Sequence, residues 1–324
     1  MRHENFGDLP KKALFFCLIA GLVLFLPSTA SFGQSPPKLK AIASLFPLQE
    51  FARAVGGEKV EVNLLLPPGA EPHNWEPRPS EAAKIARADI FIYIGRAMEP
   101  WVDDLMKAVR NPQLKVVEAS QGLPLMEEKD HEHGEKRFLR QDGRGGHIDP
   151  HIWLDFSLDG AIVDAIAAAF IAKDPSQAGR YRENAEKFKE KLDTLDRRYR
   201  ISLSRCRHRQ IILGGHSAFA YLAKRYGLQQ IALYGVNPNA EPTPKKLTAV
   251  IQTTKSHGVR FIYFEGLINP KLAQVLAKEA GVGILALHNG ANLTKEQIKN
   301  KTTFLSLMET NLVNLQRGLE CESQ

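Results

Sequence analysis

Short apolar runs alternate with longer segments of helical periodicity along most of the chain. The runs are "LKAIA", "VEVNLLLP", "IFIYIG" and "LKVVEAS" in the first half, and "RQIILGG", "LQQIALYG", "VRFIYFE" and "VGILAL" in the second half. Runs of this length and composition predict buried β-strands. Because strands that alternate with helices form parallel sheets, the pattern predicts an α/β fold. We expect two lobes, each with a parallel sheet flanked by helices.

One long segment separates the two halves of the pattern. Residues 176–205 carry Leu, Phe and Tyr at helical spacing without an internal proline, which predicts a single rigid helix. At about 1.5 Å per residue this helix spans on the order of 40 Å. The predicted domains are an N-terminal lobe at 38–175, the linking helix at 176–205 and a C-terminal lobe at 206–324. A final helix is predicted near 294–318.

The first thirty residues differ from the rest of the chain. Lys11 and Lys12 precede the apolar run "ALFFCLIAGLVLFLP" and the small-residue stretch "STASFGQ". This order is typical of a secretory signal peptide, here 1–30, with cleavage after Ala30. A membrane anchor is the alternative, but the run is shorter than the roughly 20 apolar residues that a bilayer needs and contains Pro27. No cysteine lies at the cleavage point, so we expect a periplasmic protein without a lipid anchor.

Charge and cysteine content restrict the partners and the compartment. The formal net charge is +7, but basic and acidic residues are interleaved without a concentrated basic patch, so nucleic acid is not an expected partner. We expect a monomer. After removal of the signal, Cys206 and Cys321 remain, and a lone cysteine pair in an exported protein is more often a disulfide than two free thiols.

Four histidines follow predicted strands or lie in proline-containing loops, two in each lobe. They are His73, His151, His216 and His288. Since ligand clefts in α/β sheets lie at the carboxyl ends of strands, we expect a cleft between the lobes to bring these histidines together. Imidazole is a good zinc ligand, and the prolines that precede His73 and His151 restrict the backbone. Taken alone, each of these histidines would be better explained as a hydrogen-bonded structural residue than as a metal ligand.

A polar, glycine-rich loop at 126–150 is predicted to be flexible. It contains His131 and His133 in "DHEHGE", which either capture metal weakly or are solvated like the rest of the loop. His147 lies four residues before His151, but Pro150 argues against a helix there, so we do not expect His147 to share the zinc site.

With these residues in view, the sequence resembles the zinc- and manganese-type solute-binding proteins of bacterial ABC importers (cluster A-I). Among these it is most similar to the zinc-specific ZnuA-like periplasmic binding proteins. The resemblance covers essentially the entire mature chain. It is carried, in order, by "LFPLQEFARAVGG", "PPGAEPHNWEPRPSE", "ADIFIYIGRAMEPW", "DPHIWLD", "GGHSAFAYLAKRYGL", "EPTPKKL" and "NPKLAQVLAKEAGV".

The resemblance implies the ligands and the function. His73 and His151 carry over as metal ligands, and His216 occupies the position that is histidine in zinc-type members and glutamate in manganese-type members. The last ligand in the family is usually an aspartate, whereas this chain has "ALHNG", so His288 is the predicted fourth ligand, with water or a carboxylate as the alternative. Glu71 is expected to approach the site as an outer group. The implied function is zinc capture and delivery to the membrane permease of an ABC importer, without enzymatic activity.

Two other classes of protein stay open from the sequence. A secreted mono-zinc hydrolase would use Glu265 or Glu71 as its base, but no HExxH or comparable motif is present. A manganese-selective binding protein or an adhesin of the same fold is the second alternative. The absence of a lipid-anchor cysteine and of a membrane-spanning tail argues against an adhesin.

Overall fold

The computed structural model describes residues 38–127, 148–236, 243–266 and 270–322, together with Met1. Lys38–Gln324 forms one compact unit. The predicted signal peptide and most of the predicted flexible loop, including His131, His133 and His147, lie outside the described residues. Among the helices that are described, none combines the length and the apolar character that a membrane span requires.

The first sheet contains the four predicted strands of the first half in the order β2-β1-β3-β4. The strands are β1 (Leu39–Ala43), β2 (Val60–Leu64), β3 (Ile90–Tyr93) and β4 (Lys115–Glu118), all paired in parallel. The helices that accompany them are α1 (Phe46–Gly56), α2 (Pro79–Ile85) and α3 (Val102–Ala108). Every residue of β3 is buried, as expected for a central strand with helices on both faces.

The second sheet repeats this arrangement in the order β6-β5-β7-β8. Its parallel strands are β5 (Gln210–Leu213), β6 (Gln229–Ala232), β7 (Phe261–Phe264) and β8 (Gly283–Ala286). The helices around it are α6 (Ala220–Arg225), α7 (Pro244–Ser256) and α8 (Lys271–Ala280). We call the elements around the two sheets the first and the second lobe. The predicted fold class, two α/β lobes with parallel sheets, is confirmed.

The predicted long helix is also confirmed, as α5 (Ala178–Ser204), and it follows α4 (Phe156–Lys173) after a short 3-10 turn. Its 27 residues correspond to roughly 40 Å at about 1.5 Å per residue. One face of α5 is buried along its whole length, from Tyr181 to Leu203. Residues of both lobes and of this face belong to one large apolar core, and each lobe has a second, smaller cluster of its own.

The predicted final helix near 294–318 is wrong as a single element. The structure has α9 (Lys295–Lys299) and α10 (Phe304–Gly318), with Lys301 between them at a positive φ of 54°. Thr303 begins the second helix, since its side chain accepts a hydrogen bond from the backbone N–H of Ser306. α10 packs on the linking helix, where Tyr199 Oη donates to the carbonyl of Met308.

Candidate metal centre

Three of the four predicted ligand histidines lie together between the lobes. Nε2 of His151 is 3.2 Å from Nε2 of His73 and 3.2 Å from Nε2 of His216. One ring nitrogen from each of the three residues lies within 4.8 Å of the other two. His151 and His216 are almost completely buried, while His73 is half-buried.

His73 lies in a short 3-10 turn, Pro72–Asn74, which the loop after β2 presents to the cleft. Pro72 occupies the first turn, where a missing backbone N–H costs nothing. Glu71 precedes the turn, and its Oε1 accepts the backbone N–H of His73 at 3.3 Å. The other carboxylate oxygen, Oε2, is buried without a hydrogen-bond partner in the described part of the chain.

His151 follows the same local pattern, an acid, a proline and a histidine. Asp149 Oδ1 accepts the backbone N–H of His151 at 2.9 Å and lies 2.7 Å from its ring Nδ1. Both residues are buried. Because the carboxylate takes the Nδ1–H, the lone pair of His151 is on Nε2, which faces the other two imidazoles.

His216 follows β5 and is oriented by a carboxylate from the end of β7. Oε1 of Glu265 accepts the backbone N–H of His216 at 3.1 Å and lies 2.8 Å from its Nδ1, although off the line of a straight ring N–H bond. The attraction to the ring is therefore mainly electrostatic. A Cβ atom on Gly215 would lie 2.5 Å from Oε1 of Glu265, so this close approach requires glycine at position 215.

The pKa values of His73 and His216 are shifted in opposite directions. Burial, with smaller contributions from His151 and His216, lowers the pKa of His73 to about 2. Burial also acts to lower the pKa of His216, but the carboxylates, chiefly Glu265, outweigh it and the pKa is raised. Burial raises the pKa of Glu71. His73 is thus a neutral ligand across the physiological pH range.

The nitrogen positions fit a zinc ion. Two nitrogens bound at 2.0–2.1 Å in a tetrahedral shell are about 3.3 Å apart, close to the 3.2 Å found for both pairs of Nε2 atoms. Lone pairs at this separation repel one another unless a proton or a cation lies between them. Imidazole nitrogens favour zinc, whereas manganese favours oxygen ligands. The cluster therefore suits capture of a zinc ion.

The structure does not bring His288 into this cluster. Its backbone N–H donates to Asn311 Oδ1 and its carbonyl accepts from Asn311 Nδ2, and its ring lies against Gly266, where a Cβ atom would be 2.5 Å from it. His288 follows the edge strand β8, whereas His216 follows the central strand β5. His288 as a fourth ligand stays a prediction, and it would require the ring to leave Gly266.

Hydrogen bonds between the lobes surround the cluster. Tyr221 Oη from the second lobe donates a hydrogen bond to the backbone carbonyl of Asp149, next to the His151 turn. Asn292 Nδ2 donates to the carbonyls of Pro67 and Ala70, in the loop that carries His73. The loops that present the histidines are therefore fixed by contacts from the opposite lobe as well as from their own.

Sequence reasoning missed the residues that orient the ligands. Asp149 was not singled out, and Glu265 was considered only as a base for hydrolysis. A signal for Asp149 was present, since the acid-proline-histidine order occurs twice, at 71–73 and at 149–151. Glu265 becomes interpretable only when β5 and β7 are known to be neighbours.

Two α/β lobes joined by a long helix, with three convergent imidazoles between the lobes, define a metal-binding protein of the two-lobed, solute-binding type. Residues 42–318 match the family described as "Zinc-uptake complex component A periplasmic", ZnuA. The chain belongs to this family, as the sequence motifs predicted.

Individual relatives agree with this assignment. The chain is 34% identical over 311 residues to the zinc-binding lipoprotein AdcA of Streptococcus pneumoniae, covering 94% of this chain but only 61% of AdcA. It is 34% identical over 286 residues to the high-affinity zinc uptake system protein ZnuA of Bacillus subtilis, covering 88% of this chain and 89% of that protein. The Zn(II)-bound ZnuA-like domain of S. pneumoniae AdcA superposes with a TM-score of 0.74 at 33% identity, covering 87% of this chain and 99% of the domain.

Proposed function

We propose that the protein captures a zinc ion outside the cytoplasm and delivers it to the permease of an ABC importer. The observation that supports this most is the convergence of three imidazole nitrogens from two lobes on one point. Relatives over the whole described length are named for zinc binding or zinc uptake. Zinc is the cargo of the protein, so its ligands have to bind tightly and still release the metal.

The proposed ligands are Nε2 of His73, His151 and His216. Zinc in proteins is almost always four-coordinate, so three imidazoles leave one position for solvent or a carboxylate. Glu71 is the carboxylate that we favour, because it adjoins His73 and its Oε2 is buried without a partner among the described residues. Together with Asp149 and Glu265 it also offsets the +2 charge of the ion.

We also propose that the protein is exported and carries no lipid anchor. Residues 1–30 direct secretion and are removed, and the mature protein acts as a periplasmic monomer. Some relatives are named lipoproteins, and our proposal of an unanchored protein rests on the lack of a cysteine at the cleavage point. The mass of the mature protein, isolated from cells, distinguishes cleavage after Ala30 from lipid attachment.

Neither alternative function gains support from the site. For a hydrolase, Glu265 or Glu71 would have to act as a base beside an open zinc position. The carboxylate of Glu265 is already engaged by the backbone and ring of His216 and by Asn289. Glu71 is the group that we propose as a ligand in that position, where it would leave no room for a nucleophilic water. The relatives named for zinc binding and zinc uptake favour zinc over manganese as the cargo.

Zinc titration of the purified mature protein tests the proposal. Wild type is expected to bind one zinc per chain more tightly than manganese, without turnover of ester or peptide substrates. Changing His73, His151 or His216 to Ala removes one of three nitrogen donors, and each variant is expected to lose at least 100-fold in affinity, on the order of 3 kcal/mol. His257→Ala, on the exposed end of α7, is the control. Wild-type affinity in all three ligand variants would contradict the site.

A further inference from the structure

One buried residue contacts the supports of two ligand histidines from different lobes, one through its backbone carbonyl and the other through its side chain. It is Asn289, in the turn after β8, with 5% of its surface exposed. Its carbonyl accepts the indole N–H of Trp153 at 2.6 Å, and its Nδ2 donates to Oε2 of Glu265 at 2.9 Å. No motif or ligand assignment given above uses this residue.

On the side of the first lobe, the contact leads to His151. Trp153 lies two residues after His151 in the short turn Ile152–Leu154, and it is fully buried. The centroid of a Trp153 ring is 5.3 Å from that of the His151 imidazole. The indole N–H has one buried acceptor, the Asn289 carbonyl of the opposite lobe, so the position of the His151 turn depends on that contact.

On the side of the second lobe, the contact leads to His216. The two carboxylate oxygens of Glu265 have different partners. Oε1 faces the backbone and ring of His216, and Oε2 accepts a hydrogen bond from Asn289 Nδ2. The amide of Asn289 has one orientation, because its Oδ1 accepts the backbone N–H of Ala291 at 3.1 Å and so leaves Nδ2 toward the carboxylate. Without this donor, Glu265 could rotate away from the ring of His216.

We propose that Asn289 is a positioning residue for the zinc site, which fixes Glu265 against His216 and ties that arrangement to the His151 turn through Trp153. The inference rests on the proposed function and extends it to the coupling between lobes. A movement that separates the lobes at this point breaks the Trp153 contact, frees the turn that carries Asn289 and weakens the orientation of His216. Zinc affinity and lobe contact are then linked through one residue.

The substitution Asn289→Asp removes the Nδ2 donor and places a second carboxyl group against Glu265. An aspartate keeps the Oδ1 acceptor for Ala291 and the backbone carbonyl for Trp153, but it replaces the donor with an oxygen that repels Glu265. Asn111→Asp is the matched control. Asn111 also accepts the N–H two residues ahead, that of Gln113, and donates from Nδ2, but its acceptors are backbone carbonyls far along the chain from any ligand.

Two measurements are made on wild type and both variants. Zinc affinity by chelator competition is expected to fall about tenfold for Asn289→Asp, the low end for groups that orient a ligand from outside the shell, and less than about twofold for Asn111→Asp. Imidazole nitrogen NMR of the metal-free protein is expected to show His216 protonated at Nδ1 in wild type and in Asn111→Asp, and a mixture of tautomers in Asn289→Asp.

Three outcomes separate the two proposals. Unchanged affinity and an unchanged His216 tautomer in Asn289→Asp overturn the positioning role, whatever the zinc affinity of wild type. Failure of wild type to bind zinc overturns the proposed function, while the tautomer comparison still decides the role of Asn289. If Asn289→Asp does not fold, Trp153→Phe removes the indole N–H, together with part of the ring, at the other end of the link, and unchanged affinity in that variant overturns the coupling.

Discussion

Replacing Glu265 by Gln tests how far the outer carboxylate determines the zinc affinity. The substitution keeps the shape and an oxygen for the backbone N–H of His216, but it removes the charge that lies 2.8 Å from Nδ1. Loss of such a partner lowers metal affinity by about 10- to 100-fold, or about 1.4 to 2.7 kcal/mol. Chelator competition at pH 7.5 measures it. Glu118→Gln, in the Tyr93 and Arg96 contact of the first lobe, is the control.

The pH dependence of this variant provides a second test with a definite sign. Burial lowers the pKa of His216, and Glu265 is the main group that raises it. Without the carboxylate the pKa of His216 falls, so protons compete with zinc only at lower pH. The affinity deficit of Glu265→Gln relative to wild type should therefore shrink between pH 7.5 and 5.5. A zinc affinity within about twofold of wild type, or a deficit that grows on acidification, would refute the role assigned to Glu265.

Three further predictions concern other parts of the molecule. Zinc affinity should fall as the pH drops below 7, about tenfold per pH unit for each imidazole that has to lose a proton. His216 is protonated first on acidification, because its pKa is raised whereas the pKa of His73 is about 2. A flat zinc affinity from pH 7.5 to 5 in competition titrations would argue for carboxylate ligands instead. Cys206 and Cys321 are partners in an isolated antiparallel bridge, so we expect thiol titration of the unreduced, denatured protein to find no free thiol. Reduction should cost about 4 to 5 kcal/mol of unfolding free energy by denaturant titration, and two free thiols would exclude the bond. Replacing 128–147 by a short glycine-containing turn should leave zinc affinity within about twofold of wild type, because such a turn can connect Glu127 and Ile148, which pair at the base of the loop. A large loss in the same titration would assign the loop to the site.

Strand and helix alternation was sufficient to predict the sheets and the linking helix. All eight predicted apolar runs contain the observed strands, although only β3 is buried at every position and β2 alternates between buried and exposed residues. The helix α3 (Val102–Ala108) was not predicted, since its seven residues are too few for a clear helical period. The break before α10 was missed for a different reason. Thr303 is a helix start signal, but the apolar spacing continues across it, and a cap outweighs periodicity where the two conflict.

The candidate site could be predicted in part. Histidines after strands indicated the cleft, and three of the four converge there. His288 fits the same rule by sequence, but the order of strands in a sheet is a tertiary property, and β8 lies at the edge, one strand spacing of about 4.8 Å beyond β7. The contacts of Asn289 with Trp153 and Glu265 join residues 136 and 24 positions away, which no local pattern reveals.

X-ray absorption of the zinc-loaded mature protein, with the metal content measured on the same sample, tests the central claim most directly. The account predicts one zinc per chain with three imidazole nitrogens at about 2.0 to 2.1 Å and one oxygen. His151→Ala, which removes the imidazole that adjoins both others, should lose the bound zinc in that sample. A shell with fewer than two imidazoles, or a wild-type spectrum and zinc content in His151→Ala, would contradict a site built from His73, His151 and His216.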